Sequence, residues 1–571
     1  MEARTGALRP SGRPAYAANV WHAECSGEGG RAALLRAYTL TAIIGASSTA
    51  AMALSSAPRT GRDGSTSDRA AVASTGIPGL DEIIGGGLPR DHLYLIDGDP
   101  GTGKTTLALQ FLLAGRDAGE RGLYVTLSET ADELRSTAAS HGWTLDDVEI
   151  FELSPAADGT DEVYTLFHPA EVELQQTVET VLEAVTRYRP VRVVFDSLSE
   201  MRLLARDALR FRRQILALKQ FFVGRECTVL LLDDRSGPAT ERDHQPHSIA
   251  HGVIILEQLA LDYGAERRRL QVAKLRGLAF QGGYHDFRIK EGGLAVYPRL
   301  QRTSVPVAQW EPASLSSGSP ELDSLLGGGL TRGTSMLITG AAGTGKSTLC
   351  LQYAREITES GRGALYYLFD ERVHTVRMRM HALGLDVGKA IDDGRLRLRQ
   401  VEPTELSPGE LAQEVMTAVR DDDVALVMLD SINGFMQAMP SERLLGVQIH
   451  ELLSSLANRG ATTILTLVQR GIFGAPIDEA AEVSYLADTV VLLRYFEYAG
   501  IVRQAVSVVK KRSGKHEHSI RECRVEAGGF HVGKPLHEFR GVLTGQPEYF
   551  GSATPLMSAG DERTRGDDGG T

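Results

Sequence analysis

Two eight-residue stretches have the residue types and spacing to hold phosphate: Gly98-Asp99-Pro100-Gly101-Thr102-Gly103-Lys104-Thr105 and Gly340-Ala341-Ala342-Gly343-Thr344-Gly345-Lys346-Ser347. Both fit G-x-x-x-x-G-K-[ST], in which backbone N–H groups of a glycine-rich turn and the following helix N-terminus converge on phosphate oxygens. Lys104 and Lys346 supply a point charge to the outer phosphates. Thr105 and Ser347 offer a hydroxyl to Mg²⁺. Thr106 and Thr348 open the helices that follow. Two nucleotide sites are therefore expected, each needing a base and a metal ligand.

Candidates for both roles stand downstream. The strand-like run Gly122–Leu127 ends in Ser128-Glu129-Thr130, and Ala364–Phe369 ends in Asp370-Glu371-Arg372. A carboxylate there, Glu129 in one half and Asp370 or Glu371 in the other, would orient or deprotonate an attacking water. The apolar runs Arg192–Phe195 and Ala425–Leu429 close on Asp196 and Asp430, the Walker B arrangement that presents a carboxylate to Mg²⁺.

The elements that must position these residues are duplicated. Gly76, Gly87 and Gly98 recur 242 residues later as Gly318, Gly329 and Gly340, while Asp196 and Asp430 lie 234 apart, so the second copy has lost a net eight residues between the acidic turn and Walker B. Each copy has five apolar strand-like runs, the last two at Thr228–Leu232 and Gly252–Leu256, and at Thr462–Leu467 and Thr489–Leu493. Helical stretches separate the earlier runs. Each half is thus expected to be an α/β domain on a mostly parallel sheet flanked by helices, with the P-loop at the carboxyl edge of a strand.

Composition bounds the rest. The 571-residue chain is 42% hydrophobic and 23% charged with a formal net charge of −12, which argues against a surface built broadly to grip nucleic acid. Cys25, Cys227, Cys350 and Cys523 are scattered and expected as reduced thiols of a cytoplasmic protein. Residues 1–73 lack periodicity and are expected to be a disordered extension. Apolar patches between Leu34 and Leu54 are interrupted by Gly45–Thr49 and begin too far in for a secretory segment, and a translation start at Met52 would omit most of the stretch. Residues 552–571 read as a flexible tail. No membrane association is expected.

Taken together, the Gly-Gly-Gly-Leu lead-ins at Gly85–Leu88 and Gly327–Leu330, both P-loops, the acidic turns, Asp196-Ser197 and Asp430-Ser431, Lys274-Leu275-Arg276-Gly277 and the closing Phe539–Pro547 resemble KaiC, the double-domain RecA-like ATPase family of bacterial circadian clocks. The resemblance spans residues 74–551 and implies two tandem RecA-like P-loop NTPase domains, 74–303 and 304–551. It implies ATP and Mg²⁺ as cofactors and a homohexamer of stacked rings with ATP held between neighbouring subunits, together with regulatory or output partners. In the family the first repeat hydrolyses ATP and the second is also an autokinase and phosphatase. Carried over, Lys274 and Arg276, and Lys510 and Arg512, reach the neighbour's γ-phosphate, although Ser513 stands where the family usually has glycine. The family's paired glutamates become Ser128-Glu129 in one half and Asp370-Glu371 in the other. Ser484 takes the phosphoacceptor serine position, and Tyr485 replaces the threonine beside it, carrying its hydroxyl much further from the backbone than a threonine does.

Two other classes compete with this timing or signalling switch. A DNA-dependent RecA-type motor would need a basic loop with stacking aromatics, which neither Asp233–Pro246 nor Val468–Glu482 has. An ATP-assembled binding module would assemble without turning ATP over.

Overall fold

The computed structural model describes residues 72–153, 169–205, 207–235, 245–260, 264–300, 313–402, 404–437, 445–469, 484–544 and 547–551. These belong to one compact unit, Ser65–Thr571. The expected N-terminal extension, apart from its last two residues, and the expected C-terminal tail lie outside the described residues, as do 236–244 and 470–482 of the two loops weighed for DNA.

Apolar runs become strands at every expected place. In the first half these are β1 (Leu93–Gly98), β2 (Gly122–Thr126), β3 (Val148–Glu152), β4 (Arg192–Asp196), β5 (Thr228–Asp234), β6 (Gly252–Leu259), β7 (Arg267–Leu275), β8 (Tyr284–Lys290) and β9 (Gly293–Tyr297). The second half repeats them as β10 (Ser335–Gly340), β11 (Gly363–Leu368), β12 (Leu396–Gln400), β13 (Val424–Asp430), β14 (Thr462–Val468), β15 (Thr489–Tyr498), β16 (Ile501–Lys511), β17 (Arg521–Glu526) and β18 (Gly529–Pro535). The first sheet runs β9-β8-β7-β6-β1-β5-β4-β2-β3, and the second has the same order with every number raised by nine. From β6 to β3 neighbouring strands are parallel, while β6 to β9 form an antiparallel meander. Two RecA-like α/β sheets in tandem result.

Each sheet has four strands more than the apolar runs indicate. β1 and β10 are buried at every residue and read as mostly apolar runs because both faces are covered. β3 and β12 are buried only at their first residue, and β7 mixes buried with partly exposed residues, which dilutes the apolar signal. The meander is nonetheless tied to the P-loop helices α1 (Lys104–Asp117) and α2 (Lys346–Glu359). Gln110 on α1 accepts a hydrogen bond from the Leu294 amide of β9 at 2.8 Å, and Gln352 on α2 accepts one from Phe530 of β18 at 2.8 Å. Both helices start after a left-handed glycine, Gly103 and Gly345, each with φ 96°. A Cβ on Gly103 would lie 2.7 Å from Ile289, so a bulkier residue meets strain and a clash together.

The halves meet at α3 (Pro408–Asp421). Glu410 in its first turn accepts from Lys290 at 2.6 Å, Tyr297 at 2.8 Å and Arg288 at 3.1 Å, all on β8 and β9. Burial alone would raise its pKa. Those three donors outweigh it and leave the carboxyl below its ordinary value.

Candidate functional site

Parallel pairing puts the ends of β1, β5, β4 and β2 side by side, and the first site is built on those ends. Lys104 Nζ donates to the carbonyls of Gly98 and Asp99, both at 2.9 Å, and pairs with Asp234 Oδ1 at 2.6 Å. Asp234 is there because the last residue of β5 is in register with Gly98. Thr102 Oγ1 donates to Asp99 O at 2.8 Å and braces the loop. Asp196, at the end of β4, accepts from the Tyr124 hydroxyl at 2.6 Å, and that hydroxyl also meets the side chain of Thr105. The two residues expected to hold Mg²⁺ are thus linked through one tyrosine. Burial raises the pKa of Asp196; the Tyr124 bond opposes this and nearby Asp234 adds to it.

Glu129 sits in a turn closed by Thr126, whose Oγ1 donates to Glu129 O at 2.8 Å and accepts from Glu129 N at 3.0 Å. Its Oε2 is buried without a hydrogen-bond partner. Burial raises its pKa first, then the charges of Asp196, Glu133 and Asp234. A carboxylate held away from water, short of donors and raised in pKa has the properties of a general base.

The second site has the same skeleton and different partners. Lys346 Nζ donates to Gly340 O at 2.9 Å and Ala341 O at 2.7 Å, and burial brings its pKa down to about 8 despite Asp430. Asp430 accepts from Tyr366 at 2.6 Å and Thr466 at 2.5 Å. Asp370 accepts from Ser431 at 2.5 Å. Glu371 is clamped by both terminal nitrogens of Arg379 at 2.9 Å, one oxygen each. A cleft of about 360 Å³ brings together Lys346, Ser347, Thr348, Asp370, Glu371 and Asp430.

Within one chain the four candidate cations stand apart from these centres. Lys274 lies level with Val253 and Leu95, three residues short of Gly98 and two strands away. That is about 10 Å along the strands and a further ~10 Å across them. Arg276 lies beyond the end of β7, further still from the loop. Lys274 Nζ is held by the carbonyls of His247 and Ala250 at 2.7 Å each, and Lys510 Nζ by those of Ser484 and Ala487 at 2.8 Å each. Arg512 donates to Tyr485 O at 3.2 Å and pairs with Asp488 at 3.6 Å. Ser484, Lys510 and Arg512 therefore share one end of the sheet, opposite the chain's own second P-loop. Sequence reasoning missed Asp234, Tyr124, Tyr366, Thr466 and Arg379; only the tyrosines left a signal, recurring 242 residues apart.

The family described as "ATPase: KaiC" matches residues 73–301 and again 315–537. The chain belongs to the KaiC ATPase family. Its similarity to the "Circadian clock oscillator protein KaiC" of Acaryochloris marina is 27% identity over 488 residues, covering 83% of this chain and 90% of that protein. The "Circadian clock protein KaiC3" of Synechocystis sp. is 27% identical, covering 83% and 94% respectively. The "Circadian clock oscillator protein KaiC" of Picosynechococcus sp. is 28% identical, covering 82% and 91%. With KaiC membership comes nucleotide binding as an ATPase. Cys227, Cys350 and Cys523 are buried free thiols. Among the described residues, no helix is long and apolar enough to cross a membrane.

Proposed function

We propose that this KaiC-family chain is a cytoplasmic, Mg²⁺-dependent ATP-hydrolysing ring protein with domains 74–303 and 304–551, and that its second half transfers phosphate to Ser484. The carrying observation is that each P-loop has its own lysine, hydroxyl, buried aspartate and acidic turn but no nearby cation from the Lys274-Arg276 or Lys510-Arg512 pairs. Those pairs lie at the other end of the sheet, where a neighbouring subunit's site would meet them. They would neutralise charge on the transferring phosphoryl group in trans.

Asp196 with Thr105, and Asp430 with Ser347, would hold Mg²⁺, which when bound supplies positive charge to the phosphate oxygens. Both aspartates are buried at the ends of their strands, a setting in which a carboxylate's charge fits a cation. In the first half Glu129 takes the proton of a water whose oxygen bonds to the γ-phosphorus as the bond to ADP breaks. In the second half the Ser484 hydroxyl of a neighbour attacks instead, Asp370 or Glu371 takes its proton, and phosphoserine and ADP result. Positioning and charge supply most of the catalysis.

Incubation with γ-labelled ATP, followed by native and intact-mass spectrometry, tests this reading. A nucleotide-dependent hexamer, with label on the wild type and none on Ser484→Ala, is expected. Equal labelling of both proteins, or of neither, removes Ser484 as acceptor. Full turnover by a monomer removes the trans cations. Strong stimulation of turnover by single-stranded DNA would favour a motor.

A further inference from the structure

We propose that Asp234 is a displaceable counter-ion of the first P-loop lysine, so that ATP enters the first site by exchanging phosphate for this carboxylate, and that the second site has no such gate. The inference rests on reading both P-loops as ATP sites and adds a regulation of one of them.

An ammonium group has three protons to donate. At Lys104 all three have acceptors: Gly98 O, Asp99 O and Asp234 Oδ1, the last at 2.6 Å. At Lys346 the two carbonyl contacts recur, but the position equivalent to Asp234 is Val468, in register with Gly340 as Asp234 is with Gly98. Val468 lines the second cleft and offers no charge. The difference is therefore one of residue type at a fixed backbone position.

A phosphate oxygen and the Asp234 carboxylate are both anions and would converge on the same face of the Lys104 ammonium. They cannot occupy it together without strong repulsion. Asp234 has somewhere to go. Its side chain is 29% exposed, and its other oxygen already accepts at 3.2 Å from Ser199 Oγ, at the start of the helix Leu198–Ala205 that follows Walker B. Swinging toward Ser199 and water frees the lysine while keeping the carboxylate solvated. The pair neutralises the buried lysine, so Lys104 is not left as an unpaired buried cation. The cost of separating Asp234 from Lys104 is subtracted from ATP affinity at the first site alone.

Equilibrium binding of a fluorescent, non-hydrolysable ATP analogue with Mg²⁺ measures each site separately in full-length protein. Lys346→Ala leaves the first site intact and Lys104→Ala leaves the second. In the Lys346→Ala background, Asp234→Val and the isosteric Asp234→Asn should each tighten the analogue about tenfold, and in the Lys104→Ala background Val468→Asp should weaken it about tenfold. Asp234→Asn keeps the shape and removes the charge, so it remains informative if the valine variant folds poorly. The KM for ATP at the first site should fall more than kcat changes. Unchanged or weaker binding in Asp234→Asn, with the analogue still bound by the Lys346→Ala parent, overturns the gate and leaves the ATP sites standing. Failure of the parents to bind the analogue at all overturns the reading of the sites themselves.

Discussion

Glu371 ends the acidic turn of the second half, yet its carboxylate is committed to Arg379, eight residues on along the helix Val373–Ala382. Replacing Arg379 by Met keeps the aliphatic bulk of the stem and removes the fork. The two bonds are 2.9 Å each, and the side chains are 30% and 25% exposed. An exposed pair contributes ~0.2–1 kcal/mol and a charge-assisted hydrogen bond more, so this partly buried bidentate pair is worth about 1–2 kcal/mol. If Glu371 must leave Arg379 before accepting a proton, releasing it raises the reactive population by about 5–30-fold. ATP hydrolysis in the Lys104→Ala background, where only the second site turns over, should rise by that factor in Arg379→Met. The gain should vanish when Glu371→Gln is added. Unchanged or slower turnover in Arg379→Met would refute the clamp and make the arginine a servant of the phosphate instead.

Glu129→Gln should lower first-site turnover by about 10²–10³-fold in the Lys346→Ala background while nucleotide binding is kept. Because burial and three neighbouring carboxylates raise the Glu129 pKa, a pH–rate profile of that background should begin to fall on acidification above the ordinary carboxylate range and recover above the raised pKa. Removing the same buried charge should raise the melting temperature of the nucleotide-free protein above pH 7, since the charged form is what the folded state disfavours there. Glu410→Ala should cost about 1–3 kcal/mol, discounted for the partly exposed Lys290 and Arg288, and split calorimetric unfolding into two transitions as the halves uncouple. With its folded pKa lowered, the Glu410 contribution is complete above the unfolded carboxyl's pKa and is lost as pH falls through the folded one, so the variant should converge with wild type in acid.

The parts legible in the sequence were those that chemistry confines to a short stretch. A P-loop needs its glycines and lysine within eight residues, and a Walker B aspartate announces itself by closing an apolar run. The parallel core strands were equally plain, because burial on both faces makes most of their residues apolar. What stayed hidden depends on which strands lie side by side. Asp234 meets Lys104 across 130 positions only because β5 lies beside β1, and Tyr124 reaches Asp196 only because β2 lies beside β4. The meander escaped notice because its strands are polar on one face. The clamp on Glu371 lay eight residues away in plain view, but a surface arginine on a helix carries no mark that distinguishes it from any other.

The glutamine ties between the P-loop helices and the outermost strands also supply an isotopic read-out. Amides on an outer strand ordinarily trade their hydrogen for deuterium quickly, yet those of Leu294 and Phe530 are capped by the buried side chains of Gln110 and Gln352. Each exchanges only when its helix lifts from the meander. Peptides around residues 294 and 530 therefore act as two separate clocks for helix undocking, one per half, and a deuterium time course with and without nucleotide would read each site without touching a catalytic residue.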